Sequence, residues 1–262
     1  MLTVHACQMD IAWEDKVANF AALAARLADA PPESGSLVVL PEMFATGFSM
    51  NAHAIAEEAH TGATADFLSG LARQYDCHVL GGVVTRNRAE RPRNEAVLFD
   101  RAGALAGRYA KMYPFTPGGE KEHYAPGDAP LVINIGGLKI APLICYDLRF
   151  PEVFREAVRC GAEAFAVIAS WPVARAHHWS VLLQARAIEN QAYVIGVNRV
   201  GTDPTPLTYP GRSVVIDPSG SVLAEAADQE AVLSATLDPK FVTRYRAALP
   251  FLADRREVSA LY

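Results

Sequence analysis

LKIAPLICYDLRFPE, running from Leu138 to Glu152, is the stretch whose reading decides the fold. Lys139-Ile140-Ala141-Pro142-Leu143-Ile144 reads as an apolar strand that runs straight into Cys145. The chain then turns through Tyr146-Asp147-Leu148-Arg149-Phe150-Pro151 into a helix beginning near Glu152. Pro151 suits the first helical turn, where a missing N–H removes no intrahelical bond, and Val153, Phe154, Ala157 and Val158 recur at helical spacing. A cysteine at the C-terminal end of a strand, just before a helix, stands where open α/β sheets keep their ligands. Helix N-terminal dipoles and any close cation predict a thiol pKa lowered toward thiolate. Burial alone also explains a lone cysteine after an apolar strand, because cysteine is among the most buried residue types. The charged neighbours Asp147, Arg149 and Glu152 are unusual company for a position that only packs.

On the C-terminal side of this stretch, Ala164 to Ser170 predicts another apolar strand, ending in Trp171-Pro172. A helix over His177 to Asn190 and a strand over Ala192 to Asn198 follow. On the N-terminal side, Leu131–Ile135 and Leu138–Ile144 are joined by Gly136-Gly137, a two-residue hairpin signal. Earlier still, Leu2 to Gln8 predicts a strand, and Asp15 caps a helix through Ala30 with Val17, Phe20, Leu23, Ala24 and Leu27 on one face. Ser36 to Leu40 is a fully apolar strand of the kind buried in a covered sheet. A helix over Thr64 to Tyr75 precedes strands at His78–Thr85, Asn94–Phe99 and Leu105–Ala110. Strands at Arg212–Asp217, Ser221–Ala224 and Ala231–Ala235 and a helix from Pro239 close the chain. Strand–helix alternation mixed with hairpins predicts an α/β fold of mixed sheets covered by helices. Two sheets face to face with helices outside accommodate so many apolar strands, although the pattern does not force that arrangement. No repeat or Ser/Gly linker divides residues 1–262, which predicts a single domain.

Composition narrows the function. Of 262 residues, 51% are hydrophobic and 20% charged, as in a well-packed, enzyme-sized globular domain. A net charge of −5 argues against a nucleic-acid or anionic-membrane surface. The longest basic cluster, residues 86–93, is interrupted by Glu90 and predicts a solvated hairpin loop. Cys7, Cys77, Cys145 and Cys160 show no CxxC pairing, which argues against a disulfide framework and against a zinc site. The N-terminal MLTVHACQMD lacks signal-peptide character, and no stretch reaches membrane-span length. A reducing, cytoplasmic setting is the expectation.

Three apolar strands end in chemically capable residues: Glu42 after Pro41, Lys111 before Tyr113-Pro114, and Cys145. A carboxylate, an ammonium and a thiol suffice for nucleophilic acyl transfer without histidine. Glu42 would take the thiol proton and later activate water, while Lys111 and the backbone N–H of Tyr146 would hold the oxyanion. Burial statistics alone favour a cap or surface role for such a Glu and a solvated strand end for such a Lys. The joint placement of the three residues at strand ends weighs against that bland account.

PEMF around Glu42, GRYAKMYPF around Lys111 and LICYDLRFPE around Cys145 resemble the three signature segments of the nitrilase superfamily of carbon–nitrogen hydrolases. ASWP at Ala169–Pro172 and QARAIENQAYVIGVNRVG from Gln184 extend the resemblance over essentially the whole chain. It implies a Glu–Lys–Cys triad on a four-layer αββα sandwich of two mixed β-sheets with helices on the outer faces, acting without a metal or organic cofactor. A second glutamate that positions the lysine and substrate is matched by Glu120, with Glu122 as the less fitting substitute. A carboxylate beside Lys111 would keep it charged. Within the superfamily, CYDLRFPE, WPVARAHHW and the tail PFLADRR are most similar to the omega-amidases. These hydrolyse the terminal amide of 2-oxoglutaramate and 2-oxosuccinamate to ammonia and a 2-oxo dicarboxylate through a cysteine thioester.

Such substrates carry an anionic end that a cation should meet, and Arg149, Arg175 and His177 are candidates, with Trp171 as a pocket wall. One departure is the loop Thr202 to Pro210, whose three prolines would reshape the pocket rim. The resemblance also implies a homodimer. Nitriles, N-carbamoyl amino acids and aliphatic amides are the alternative substrates, and a catalytically silent metabolite-binding member is the alternative from another class. A Cys–His protease leaves Glu42 and Lys111 without work. Gly81-Gly82 and Gly118-Gly119 lack the spacing of a phosphate loop.

Overall fold

The computed structural model describes residues 1–58, 60–86 and 91–256. Of the basic cluster expected to form a solvated loop, residues 87–90 lie outside that description. In the first half of the chain, β1 (Leu2–Gln8), β2 (Leu37–Val39), β3 (His78–Thr85), β4 (Arg93–Phe99) and β5 (Leu105–Ala110) lie side by side in chain order. In the second half β6 (Ile133–Ile135), β7 (Leu138–Ile144), β8 (Ala164–Ala169) and β9 (Tyr193–Asn198) do the same. A short ribbon of β10 (Val200–Thr202) and β11 (Thr208–Pro210) follows, then β12 (Val214–Ile216), β13 (Val222–Glu225) and β14 (Ala231–Leu237). The two sheets run β14-β1-β2-β3-β4-β5 and β13-β12-β9-β8-β7-β6.

Both sheets are mixed, for a local reason. Parallel neighbours need a crossover long enough to return to the same edge, usually a helix. The helices α1 (Lys16–Asp29), α2 (Ala52–Ile55) and α3 (Ala63–Tyr75) lie in the crossovers of the parallel run β1-β2-β3. After α4 (Glu120–His123), the helices α5 (Pro151–Arg159) and α6 (Ala176–Asn190) serve β7-β8-β9, and α7 (Pro239–Ala248) closes the chain. The antiparallel neighbours β4–β5, β6–β7 and β12–β13 are joined by short turns, whereas β1 pairs antiparallel with the distant β14. At Gly136-Gly137 both residues take positive φ (58° and 84°), as the two-residue turn between Ile135 and Leu138 requires.

Strand side chains alternate between faces with a period of two. In the first sheet Leu37, Val39, Leu80, Ala96 and Leu98 point into the core shared with Leu138 and Ile140 of the second sheet. Their neighbours Val38, Val79, Val97 and Phe99 pack instead with Leu23 and Leu27 of α1 and Leu68 and Leu71 of α3. Val153 and Phe154 of α5 and Trp179 and Leu183 of α6 cover the other sheet. The result is the four-layer αββα sandwich that the resemblance implied and the pattern left open. Leu37-Val38-Val39 is apolar throughout because both of its faces are covered.

One helix face differs from expectation. Val17 is 78% exposed, and Asn19 occupies the buried face of α1 with Leu23 and Leu27. Asn19 Oδ1 accepts from the Ala12 N–H (2.8 Å), and Nδ2 donates to the Ala12 and Ala45 carbonyls (2.8 and 2.9 Å). Buried backbone groups in the flanking loops need partners, and a polar side chain supplies them where an apolar one cannot. Among the described residues no helix is long and apolar enough to cross a membrane.

Candidate active site

Glu42 follows β2 in a turn pressed against β3. A Cβ on Gly82 would lie 2.6 Å from the Glu42 Cα and from the Met43 nitrogen, so only glycine admits this approach. Met43 completes the turn at φ 47°. Lys111 directly follows β5, its N–H continuing the ladder to the Asn94 carbonyl at 2.9 Å. Cys145 follows β7 at φ 47°, a strained value for a residue with a Cβ, and opens the tight helical turn Cys145–Arg149.

The carboxylates and ammonium meet in the interior. Lys111 Nζ lies 2.8 Å from Glu42 Oε1 and 2.8 Å from Glu120 Oε2. Asn94 Nδ2 donates to both glutamates, at 2.7 Å to Glu42 Oε1 and 2.9 Å to Glu120 Oε1. The remaining oxygen of Glu42 accepts from the Ser170 N–H at 2.9 Å, and Glu120 Oε2 accepts from the Phe115 N–H at 2.6 Å. All four side chains are buried, whereas Glu122 does not join them and is exposed. Burial alone would lower the pKa of Lys111, but Glu120 and Glu42 outweigh it and hold the ammonium well above its usual range.

Cys145 reverses one sequence expectation. Burial and the Glu42 carboxylate push its thiol well up, and Lys111 and the Ser170 backbone only partly offset them. Its surroundings therefore favour the protonated thiol, electrostatically coupled to the Glu42 carboxylate. Burial likewise pushes the thiols of Cys7 and Cys77 up, to about 12 and about 11, and neither lines the cavity that Cys145 faces.

A cavity opens over Cys145, Tyr146 and Ser170, with Phe48, Phe115, Trp171 and Tyr209 among its walls and Arg149, Arg175 and Leu207 also lining it. Arg149 lies 4.8 Å from the Trp171 ring centroid, and Arg175 lies 5.4 Å from that of Phe115. The indole N–H of Trp171 donates to the Arg175 carbonyl at 2.7 Å. Trp171, Arg149 and Arg175 are therefore brought to the cavity. His177 is not; it is exposed on α6, and its neighbour His178 is the one that reaches Arg149, at 3.3 Å.

Sequence reasoning missed Asn94, Phe48, Phe115, Leu207 and Tyr209. Asn94 offered one faint signal, a polar residue near the start of a strand whose last four residues, Ala96 to Phe99, are apolar. Phe48, Phe115 and Leu207 come from loops, and Tyr209 from the short strand β11. The proline-bearing loop does form part of the cavity wall, through the β10–β11 ribbon. Asp203 ties its tip together by accepting from Thr205 N–H (2.9 Å), Thr205 Oγ1 (2.7 Å), Leu207 N–H (3.2 Å) and the Tyr209 hydroxyl (2.6 Å). The buried Arg199 guanidinium backs the Tyr209 ring at 4.5 Å. Among the described residues no group of three or more His, Cys, Asp or Glu side chains is arranged to hold a metal ion.

Comparison with known proteins agrees with this geometry. The carbon-nitrogen hydrolase family model matches residues 3–247. The omega-amidase YafV of Yersinia enterocolitica is 38% identical over 94% of this chain and 94% of its own length. A 2-oxoglutaramate amidase of Bacillus subtilis is 33% identical over 84% of this chain and 85% of its own. Among solved structures, XC1258 from Xanthomonas campestris, a CN-hydrolase superfamily protein with an arsenic adduct in its active site, superposes with a TM-score of 0.89. It is 33% identical and covers 98% of this chain and 97% of its own. With the αββα sandwich and the buried Glu42–Lys111–Glu120 cluster beside Cys145, these matches make the chain a member of the carbon–nitrogen hydrolase family, an amidohydrolase acting on C–N bonds other than peptide bonds.

Proposed function

We propose that this enzyme removes ammonia from the terminal amide of a small 2-oxo dicarboxylate monoamide, of the 2-oxoglutaramate or 2-oxosuccinamate kind. The observation that carries the reading is one cavity lined by Cys145 and by two guanidiniums, Arg149 and Arg175, with the Lys111–Glu42–Glu120 cluster electrostatically coupled to the thiol. The guanidiniums suit a substrate carboxylate, and the mostly apolar wall suits a short carbon chain. The names of the relatives support the same class.

In this reading Glu42 accepts the Cys145 proton as sulfur attacks the amide carbon. Lys111 and the Tyr146 backbone N–H stabilise the oxyanion, and Glu120 holds Lys111 in place. Collapse breaks the C–N bond, Glu42 returns its proton to the leaving nitrogen, and ammonia departs from a thioester. Water then gives a proton to Glu42 and attacks the thioester carbon; the expelled sulfur recovers the proton. No step calls on a metal or an organic cofactor.

We also read the chain as one domain, as a homodimer and as cytoplasmic. Pairing of β1 with β14 across the chain supports the first, and exposed Val181 and Ile188 on α6 support the second. Four cysteines free of disulfides support a reducing compartment. Ammonia release from 2-oxoglutaramate, 2-oxosuccinamate, glutamine, N-carbamoyl-β-alanine, propionamide and a nitrile, by wild type and Cys145→Ala, tests the substrate. Cys145-dependent preference for the 2-oxo amides is the expected result. Preference for another compound moves the enzyme elsewhere in the family, and no turnover on any of them leaves a silent binder.

A further inference from the structure

Asp147 is a fully buried carboxylate to which the reaction above gives no task. It accepts hydrogen bonds from three places: the Ile144 N–H (2.9 Å), the Tyr109 hydroxyl (2.8 Å) and the Tyr113 N–H (3.0 Å). Ile144 is the residue before Cys145. Tyr109 and Tyr113 stand two residues either side of Lys111. One carboxylate therefore fastens both flanks of the lysine, at the end of β5 in one sheet, to the strand end that carries the nucleophile in the other.

The sheets themselves are held together by apolar packing, which is strong but non-directional. The thiol and the ammonium approach one substrate carbonyl from opposite sheets, and their relative placement has to be set by directional bonds. Cys145 moreover adopts φ 47°, a conformation that persists only when its surroundings over-determine it. The Asp147 bond to the Ile144 N–H closes the turn on the N-terminal side of that strained residue.

We propose that Asp147 is a positioning residue that sets the distance and angle between Cys145 Sγ and Lys111 Nζ, acting through the N–H groups of Ile144 and Tyr113 and the hydroxyl of Tyr109. The proposal rests on the reading of Cys145 as nucleophile and Lys111 as oxyanion holder. It does not depend on which amide is the substrate.

Asp147→Asn, Asp147→Glu, Tyr109→Phe and Cys145→Ala in the full chain test it, on whichever amide the wild type turns over best. An asparagine turns an NH₂ donor toward at least one of three donors, so kcat should fall roughly 100-fold while KM stays within about threefold. Tyr109→Phe deletes one hydroxyl, leaves the fold intact, and should lower kcat about tenfold on the same reasoning. Asp147→Glu, which restores a carboxylate, should recover part of the rate lost in Asp147→Asn. A merely structural Asp147 would lower the melting temperature and leave kcat of the folded enzyme unchanged. Inactive Cys145→Ala, with Asp147→Asn and Tyr109→Phe both within about threefold of wild-type kcat, overturns the positioning role alone. If Asp147→Asn fails to fold, Tyr109→Phe decides. Turnover retained in Cys145→Ala would overturn the nucleophile assignment, and this proposal with it.

Discussion

Lys111 and Glu42 are joined by a 2.8 Å ion pair in which the two side chains are 2% and 0% exposed. Glu120 completes the cluster from the other side at the same distance. Two carboxylates and one ammonium are thus held out of water, and removing the ammonium leaves two like charges facing each other. Lys111→Met should therefore lower unfolding stability by about 3–5 kcal/mol, the cost of stranding buried charge. The same change should lower kcat by about 100- to 1000-fold through loss of the proposed oxyanion partner. Urea denaturation and ammonia release measure both; an unchanged midpoint would show that the cluster does not depend on its cation.

Glu42→Gln separates charge from shape. Glu42 receives Lys111 and Asn94 on one oxygen and the Ser170 N–H on the other. A glutamine can accept on one side only and must point an NH₂ at a donor on the other. Stability should fall by about 1–3 kcal/mol, as for one unsatisfied buried group. The proposed base is lost, so kcat should fall by roughly 100- to 10,000-fold. Turnover close to wild type in a folded Glu42→Gln enzyme would remove Glu42 from the proton-transfer role.

The ribbon tip provides a contrast. Tyr209 lines the cavity while its hydroxyl proton is committed to Asp203, which fixes the ring as part of the wall. Asp203→Asn should loosen residues 203–207 and raise KM about tenfold, with kcat within about threefold, since the reacting groups are untouched. Steady-state kinetics at saturating substrate checks this. An equal fall in kcat would place the ribbon in the chemistry itself.

Asp147 makes a prediction about stability and pH. Burial is the largest influence on its carboxyl and raises its pKa from 3.8 to about 7, against the hydrogen bonds that favour the ionised form. A folded-state value above the unfolded one means that the folded chain holds the proton more tightly between the two. The stability linked to that proton is fully present below about pH 4 and is lost as pH rises through about 7. Between pH 5 and 8 this group alone should lower stability by about 2–3 kcal/mol, a slope that Asp147→Asn lacks. Comparing denaturant midpoints of the two proteins across that range tests it; parallel curves would mean that Asp147 titrates as an ordinary carboxyl.

How far the site was legible follows from how each residue is recruited. Glu42, Lys111 and Cys145 sit at or just beyond strand ends whose local patterns are plain in sequence, Glu120 was reached only through the family resemblance, and the structure gathers all four in one region. Arg149, Arg175 and Trp171 follow the nucleophile strand and its neighbour closely in the chain, and they also reach the cavity. His177 does not, because on α6 a shift of one residue rotates a side chain by about 100°, so neighbouring residues face different directions. Asn94 was read only as part of a strand. Its bridging of Glu42 and Glu120 depends on contacts 52 and 26 residues away in sequence.

What the sequence by itself determined are the quantities that local spacing encodes: the alternating strands and helices, the Gly136-Gly137 turn, the order of the chemical residues, and their likeness to a family of hydrolases. Only the tertiary structure decided the rest. It placed Val17 in water and Asn19 inside, made the β10–β11 ribbon a cavity wall, and reversed the expected shift of the Cys145 thiol. Each of these outcomes depends on neighbours brought from distant parts of the chain. A backbone carbonyl in need of a donor, a carboxylate close enough to repel a thiolate, and a sheet that excludes water all act through space, over distances that the order of residues does not encode.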